Sequence, residues 1–203
     1  MQNEARTPAT RGRLLGAAIG LALLAGACGG GPAGTAPQQP AGGTTAEVNP
    51  KADIPDNQSY VLFSPASGGF TVKVPEGWAR TDEGSAVTFT DKLNRIRLEA
   101  VVAPAPPTVD SARATGLASI KGVTAGYQGG EVTTVQRPAG GAVLIRYQAA
   151  AAPDPVTGKV VRDAVERYEF WRGGTEAIIV LSGPATADNV DPWKKVTTSF
   201  RWR

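Results

Sequence analysis

Between residues 95 and 102 the chain reads Arg-Ile-Arg-Leu-Glu-Ala-Val-Val, and this alternation constrains the fold more than any other feature of the sequence. Successive strand residues point to opposite sides, so Ile96, Leu98, Ala100 and Val102 fall on one face and Arg95, Arg97 and Glu99 on the other. The same period recurs in Phe70, Val72 and Val74 against Thr71 and Lys73, and in Val87 and Phe89 around Thr88. It returns in Val143, Ile145, Tyr147 and Ala149, opposite Leu144, Arg146 and Gln148. A Pro- and Gly-containing turn at 64–69 is predicted to join 60–63 to 70–74 as a hairpin. The Pro/Gly-rich stretch 153–158 and Arg172-Gly173-Gly174 suit reversals before and after a strand within 160–172. Short turns between such segments favour antiparallel neighbours.

Two segments carry a helical signature instead. Thr108 is placed to cap the first, with Asp110 in its first turn near the positive dipole end. Val109, Ala112, Leu117, Ile120 and Val123 recur at helical spacing, although Gly116 and Gly122 weaken it. The second opens on Asp191-Pro192, a capping carboxylate followed by proline at the first helical position, where its missing N–H costs little. Val190, Trp193, Val196 and Phe200 then fall near one face. The expectation is a single α+β domain over 58–203, a mainly antiparallel sheet flanked by helices.

The chain ahead of that domain has a different composition. Arg6, Arg11 and Arg13 precede an apolar run at 14–25, too short to span a bilayer, which needs roughly 20 apolar residues. Residues 1–27 have the anatomy of an export signal. Leu24-Ala25-Gly26-Ala27-Cys28 resembles a bacterial lipobox, in which cysteine becomes the first residue and carries a diacylglycerol; Ala25 departs from the leucine commonest there. The alternative is an ordinary secretory signal whose cleavage site lies beside a cysteine. Cys28 is the only cysteine, so no internal disulfide is available, and lipidation accounts for it. Residues 28–57, rich in Gly, Pro, Ala and Thr, read as the lipidated cysteine and a disordered tether. Loss of the signal removes Arg6, Arg11, Arg13 and Glu4 and lowers the net charge from +3 to +1. No basic stripe with interleaved aromatics points to nucleic acid.

Phe70-Thr71-Val72-Lys73-Val74-Pro75-Glu76-Gly77-Trp78 resembles the opening of PsbP-like domains, and Leu181-Ser182-Gly183 through Trp193 to Thr198-Ser199-Phe200-Arg201-Trp202 resembles their closing strand, helix and final segment. Such domains occur in actinobacterial lipoproteins of the LpqN and LpqT type. The resemblance implies an α/β/α sandwich, usually without enzymatic activity, in binding or assembly factors near membranes. Phe70, Pro75, Gly77, Trp78, Trp193 and Phe200 match as framework positions, and no catalytic residue carries over.

The sequence contains no histidine, which removes Ser-His-Asp and Cys-His catalysis and histidine metal ligands. Acylation of Cys28 would remove thiolate chemistry as well. Neither a cofactor nor a metal is expected. Asp163, Glu166 and Glu169, interleaved with Arg162, Arg167 and Arg172, read as cross-strand ion pairs; Asp163 and Glu166 are also the only candidates for a carboxylate-dependent glycan hydrolase. Asp188 and Asp191 fit a helix entry, with a Ca²⁺ site as the alternative. Gly129-Gly130 and Gly140-Gly141 lack the Lys-Ser/Thr of a phosphate loop and read as turns. Trp171 and Trp202, beside Arg172, Arg201 and Arg203, are candidate partner anchors or rim residues covering the core edge.

These features point to a lipid-anchored module on the extracytoplasmic face of the cell membrane, non-catalytic, binding envelope proteins or lipids and no nucleic acid. Cys28 is its lipidation site, and Trp171, Arg172 and Trp202 its candidate partner contacts. A carrier of lipid or a small apolar ligand is the alternative, with room between sheet and first helix left by Ala112, Ala114, Gly116 and Ala118.

Overall fold

The alternating segments pair into two antiparallel sheets in a computed structural model that describes residues 52–66, 69–153 and 156–203, all within one compact unit, Ala46–Arg203. The signal segment, Cys28 and most of the expected tether lie outside the described residues. β1 (Tyr60–Phe63), β2 (Phe70–Pro75) and β10 (Arg201–Trp202) form a small sheet in the order β1-β2-β10. β3 (Ala79–Glu83), β4 (Ala86–Asp91), β5 (Asn94–Val102), β6 (Gln128–Arg137), β7 (Gly140–Ala150), β8 (Arg162–Arg172) and β9 (Thr175–Pro184) form the large one, in the order β3-β4-β5-β9-β8-β7-β6. The fold class is α+β, mainly antiparallel sheet with flanking helices.

Each face of the large sheet buries a different partner. Ile96, Leu98, Leu144, Tyr168, Phe170, Ile179 and Leu181 face the small sheet and α3 (Val190–Ser199), meeting Phe70, Val72, Trp193 and Val196. Phe200 stacks on Phe170 at 4.3 Å between centroids and packs on Phe70 at 5.2 Å, closing this core. On the opposite face Val132, Val143 and Ile145 pack under Ala112, Leu117 and Ile120. These belong to a helical segment made of α1 (Val109–Ser111), a π-helical stretch (Ala112–Gly116) and α2 (Leu117–Val123). Thr108 caps it as expected: its hydroxyl accepts from Ser111 N–H and Ser111 Oγ accepts from Thr108 N–H, both at 3.0 Å.

Several expectations need correction. Val102 is exposed because β5 ends at one border of the sheet, Val123 because it closes α2 at the opposite one, and Val190 because it opens α3 ahead of the residues that enter the core. Asp191 does not cap α3; Asn189 holds that position, and its side chain makes no cap bond. Gly129 and Gly130 lie inside β6 at a bulge rather than in a turn. β3 carried no sequence signal, since all five of its residues are exposed and it forms a polar edge.

The packed region also begins earlier than residue 58. Ala52 and Ile54 are buried, Ile54 N–H donates to Asn189 Oδ1 at 2.9 Å, and Asn94 Nδ2 donates to the Ala52 carbonyl at 2.7 Å. Asn189 Nδ2 donates to Asn94 Oδ1 at 2.8 Å, so two buried amides join the incoming chain, the β5 start and the α3 start. A methyl on Gly183 would collide with Asn94 Oδ1 and Asn189 Nδ2, so the position requires glycine. Asn189→Ala leaves Ile54 N–H and Asn94 Oδ1 unpaired and is expected to cost about 2–4 kcal/mol. Combined with Gly183→Ala in urea unfolding it should cost less than the sum of the two, because both break one network.

Candidate functional site

Register sets the site. Arg146 on β7 lies opposite Glu166 on β8 and Glu131 on β6, and Tyr168 lies two residues beyond Glu166 on the same face. Arg137, at the end of β6, shares that face and reaches α3. Tyr168 Oη donates to Glu166 Oε2 at 2.7 Å, and Arg146 Nε donates to Glu166 Oε1 at 2.8 Å. Arg137 Nη2 donates to Tyr168 Oη at 3.1 Å and Nε to Thr197 Oγ1 at 3.1 Å, with its guanidinium 5.2 Å from the Tyr168 ring centroid. Arg146 Nη1 lies 3.8 Å from Glu131.

This network floors a cleft of about 690 Å³ beside the start of α3, walled by Ala164, Pro184, Ala187, Trp193 and Lys194. Burial, then the bond to the Glu166 carboxylate and its charge, push Tyr168 up to about 12. The bond to Glu166 likewise holds the Arg146 guanidinium more firmly protonated. Both Glu166 oxygens are occupied and the phenol keeps its proton at neutral pH, so neither is poised as a base. The cleft presents Arg146, held between Glu166 and Glu131, and the ammonium of Lys194, which enters none of the ion pairs among the described residues, so cations outnumber acids in its lining. Beside them stands the apolar wall containing Trp193.

The residues expected from the sequence are distributed differently. Trp171 and Arg172 point to opposite faces of β8. Trp171 lies on the first-helix face and donates its indole N–H to the Ala103 carbonyl at 2.9 Å. Arg172 and Trp202 do meet, with the guanidinium 5.3 Å from the indole centroid and a bond from Arg172 Nη2 to the Arg203 carbonyl. Trp202 also packs edge-on against Phe200 at 5.1 Å. Cys28 lies outside the described residues.

Alternation likewise sends Asp163 and Glu166 to opposite faces of β8, so they do not converge on one cleft. Ion pairs join Arg146 to Glu166 across strands and Arg167 to Glu169 at 2.6 Å along one. Asp163 Oδ1 is buried without a hydrogen-bond partner, and burial pushes the carboxyl up, with Arg95 opposing. Asp188 N–H donates to Asp53 Oδ1 at 3.0 Å, and among the described residues no group of three or more His, Cys, Asp or Glu is placed to hold a metal. Ala112, Leu117 and Ile120 pack on Val143 and Ile145 and Ala114 and Ala118 face outward, while a groove of about 830 Å³ opens between Ala112, Gly116 and Ile120 of the first helical segment and Arg167, Glu169 and Glu176 of the sheet.

No family model and no curated protein matches this sequence. Solved structures similar to it include a protein from Bacteroides thetaiotaomicron VPI-5482, 12% identical, with a TM-score of 0.48 over 70% of this chain and 48% of the other, so this chain spans about half of that one. Cyanobacterial PsbP from Synechocystis sp. PCC 6803 is 15% identical, with a TM-score of 0.48 over 72% of this chain and 94% of the other. LpqN of Mycobacterium tuberculosis, involved in cell envelope biogenesis, is 12% identical, with a TM-score of 0.40 over 72% of this chain and 92% of the other. The last two are of the types that the sequence resembles.

The network has a pH signature. Unfolded phenols lose their proton near 10, whereas Tyr168 keeps its own to about 12, so stability present below pH 10 falls as the pH rises from 10 through 12. Glu166→Gln removes the neighbouring charge and should bring the Tyr168 midpoint down toward 10, read by NMR of the ring carbon bearing the hydroxyl. An unmoved midpoint would show that burial alone sets it.

Proposed function

We propose that the chain is a lipoprotein of the extracytoplasmic face of the cell membrane, anchored through Cys28, that acts as a non-catalytic binding module of the cell envelope. The observation carrying the binding role is the commitment of both Glu166 oxygens to Tyr168 and Arg146, which leaves a preformed cleft offering cations and an apolar wall but no poised base. Such a cleft suits an anionic or polar group borne on an apolar portion of an envelope protein or lipid. The histidine-free sequence agrees with binding rather than turnover. Among the described residues no helix is long and apolar enough to cross a membrane, and the lipobox-like segment supplies the attachment. Arg172 and Trp202 form a second, smaller contact candidate, with Trp171 on the far face.

A carrier of lipid or a small apolar ligand is the second reading, favoured by the wall of Ala164, Pro184, Ala187 and Trp193. This reading places the ligand on the α3 side, because the groove beside the first helix is bordered by the charged Arg167, Glu169 and Glu176. Organic extraction of the purified chain and mass spectrometry separate the two: a stoichiometric lipid supports the carrier, and repeated absence supports a partner-binding module.

Cys28→Ala is expected to move the chain from the membrane fraction to the soluble fraction or to stop its processing, while the domain's thermal unfolding stays unchanged. A processed variant that remains in the membrane fraction would place the anchor elsewhere. Arg146→Glu should leave the location unchanged and abolish crosslinking from a photoreactive residue substituted for Ala187; crosslinking unaffected by Arg146→Glu would remove the cleft from the account.

A further inference from the structure

The two ends of the large sheet are unlike. At one lie the β8–β9 turn and the end of β5; at the other meet the β4–β5 turn, the end of α2, the β7–β8 connection and the start of α3. Five of the eight large apolar side chains that stand exposed among the described residues belong to this second end: Leu93, Val123, Val156, Val160 and Val190. Scattered exposed apolar residues are ordinary, but a group gathered at one end marks a contact surface.

A groove of about 680 Å³ opens at this end on the first-helix face, with Leu93 and Val123 among its lining residues. Its charged lining residues are Lys92, Arg95 and Arg97 against a single acid, Asp163. Arg97 is tied to Glu99 at 2.5 Å and Lys92 lies 4.0 Å from Asp91, whereas no ion pair among the described residues uses Arg95. Burial pushes the Asp163 carboxyl up and the Arg95 charge opposes that push, so the one acid of the lining faces one of its three cations. The acids Asp53, Asp188 and Asp191 gather around the start of α3, on the opposite side of the same end. The groove side is therefore the basic and apolar one.

The chain also enters here. Asn94, which lines the groove, holds the Ala52 carbonyl at 2.7 Å. Between Cys28 and Ala52 lie 23 residues. A Gly-rich flexible chain of that length has a root-mean-square span of about 26 Å. A lipid on Cys28 would keep this end of the sheet, rather than the Val102 end, nearer the bilayer.

We propose that this end docks on an anionic lipid bilayer, with Leu93 and Val123 entering the interface and Lys92 and Arg95 meeting lipid phosphates. The proposal rests on the lipid-anchor reading for its orientation. Each such cation at an anionic surface strengthens the contact roughly fivefold. Contact through both lipid and groove would fix how the α3-side cleft is presented to the envelope.

Because Cys28 is the only cysteine, a second one reports on a single place. The full chain, isolated from membranes and reconstituted in phosphatidylcholine–phosphatidylglycerol vesicles, is spin-labelled at Leu93→Cys or at Val102→Cys, an exposed position at the opposite end, and each label is compared with itself in phosphatidylcholine vesicles. At position 93, collisions with oxygen should rise and those with a water-soluble nickel chelate fall several-fold, with no change at position 102. Lys92→Glu with Arg95→Glu should return position 93 to water while the chain stays on the vesicles. Nickel access at 93 left unchanged by Lys92→Glu with Arg95→Glu would overturn the proposal, as would equal protection in phosphatidylcholine alone, or protection by soluble glycerol phosphate without vesicles. The anchor is read separately: a parent chain whose Cys28 accepts label carries no lipid there. The comparison then runs with vesicles in a Cys28→Ala background, where protection at 93 supports the groove and its absence overturns it.

Discussion

Everything in this molecule depends on a sheet whose two faces are buried by different partners. Antiparallel pairing turns each strand's alternation into two side-chain surfaces. On β7, Leu144 enters the core beneath α3 while its neighbour Ile145 enters the smaller core beneath the first helical segment. A one-residue slip would exchange the faces, sending Leu144 into the smaller core, Ile145 into the larger one and Arg146 beneath the first helical segment, each into a space shaped for another side chain. That strict register also places Arg146 opposite Glu166 and Tyr168 within reach of Arg137.

The polar network is thus a consequence of core packing. Tyr168 is nearly inaccessible, its ring serving the core and its hydroxyl the cleft. Burying a phenol requires a partner for its hydroxyl, and Glu166 supplies one. Glu166 in turn needs Arg146, because a part-buried carboxylate without a cation is costly. Each group is thereby held in place by its neighbours, and the network stands beside an apolar wall.

Much of the fold was legible because alternation reports directly on burial. Ile96 and Leu98 against Arg95 and Arg97 marked β5, and Thr108 marked the first helix start through its hydroxyl. Legibility failed where local chemistry was outweighed. Asp191-Pro192 has the pattern of a helix cap, yet Asn189 takes that place while its side chain joins Asn94 and Ile54, 95 and 135 residues away in sequence. Bonds across such separations leave no local trace. The segment around Ile54 looked like tether because one isoleucine among polar residues has no period to reveal it. For the site, Glu166 stood out as a charge, but the network around it draws on three strands and a helix, β6, β7, β8 and α3. Only their pairing distinguishes a cleft from an ordinary charged strand. Trp171 and Arg172 looked like neighbours because sequence proximity hides that adjacent strand residues point apart.

The central claim is that the α3-side cleft binds a component of the envelope. Amide chemical-shift mapping of the isotope-labelled chain, titrated with detergent-solubilised envelope extract, tests it most directly. The account predicts saturable shifts confined to Arg137, Arg146, Glu166, Tyr168, Trp193, Lys194 and their neighbours, lost in Arg146→Glu. Shifts that map to other surfaces and persist in Arg146→Glu would contradict it.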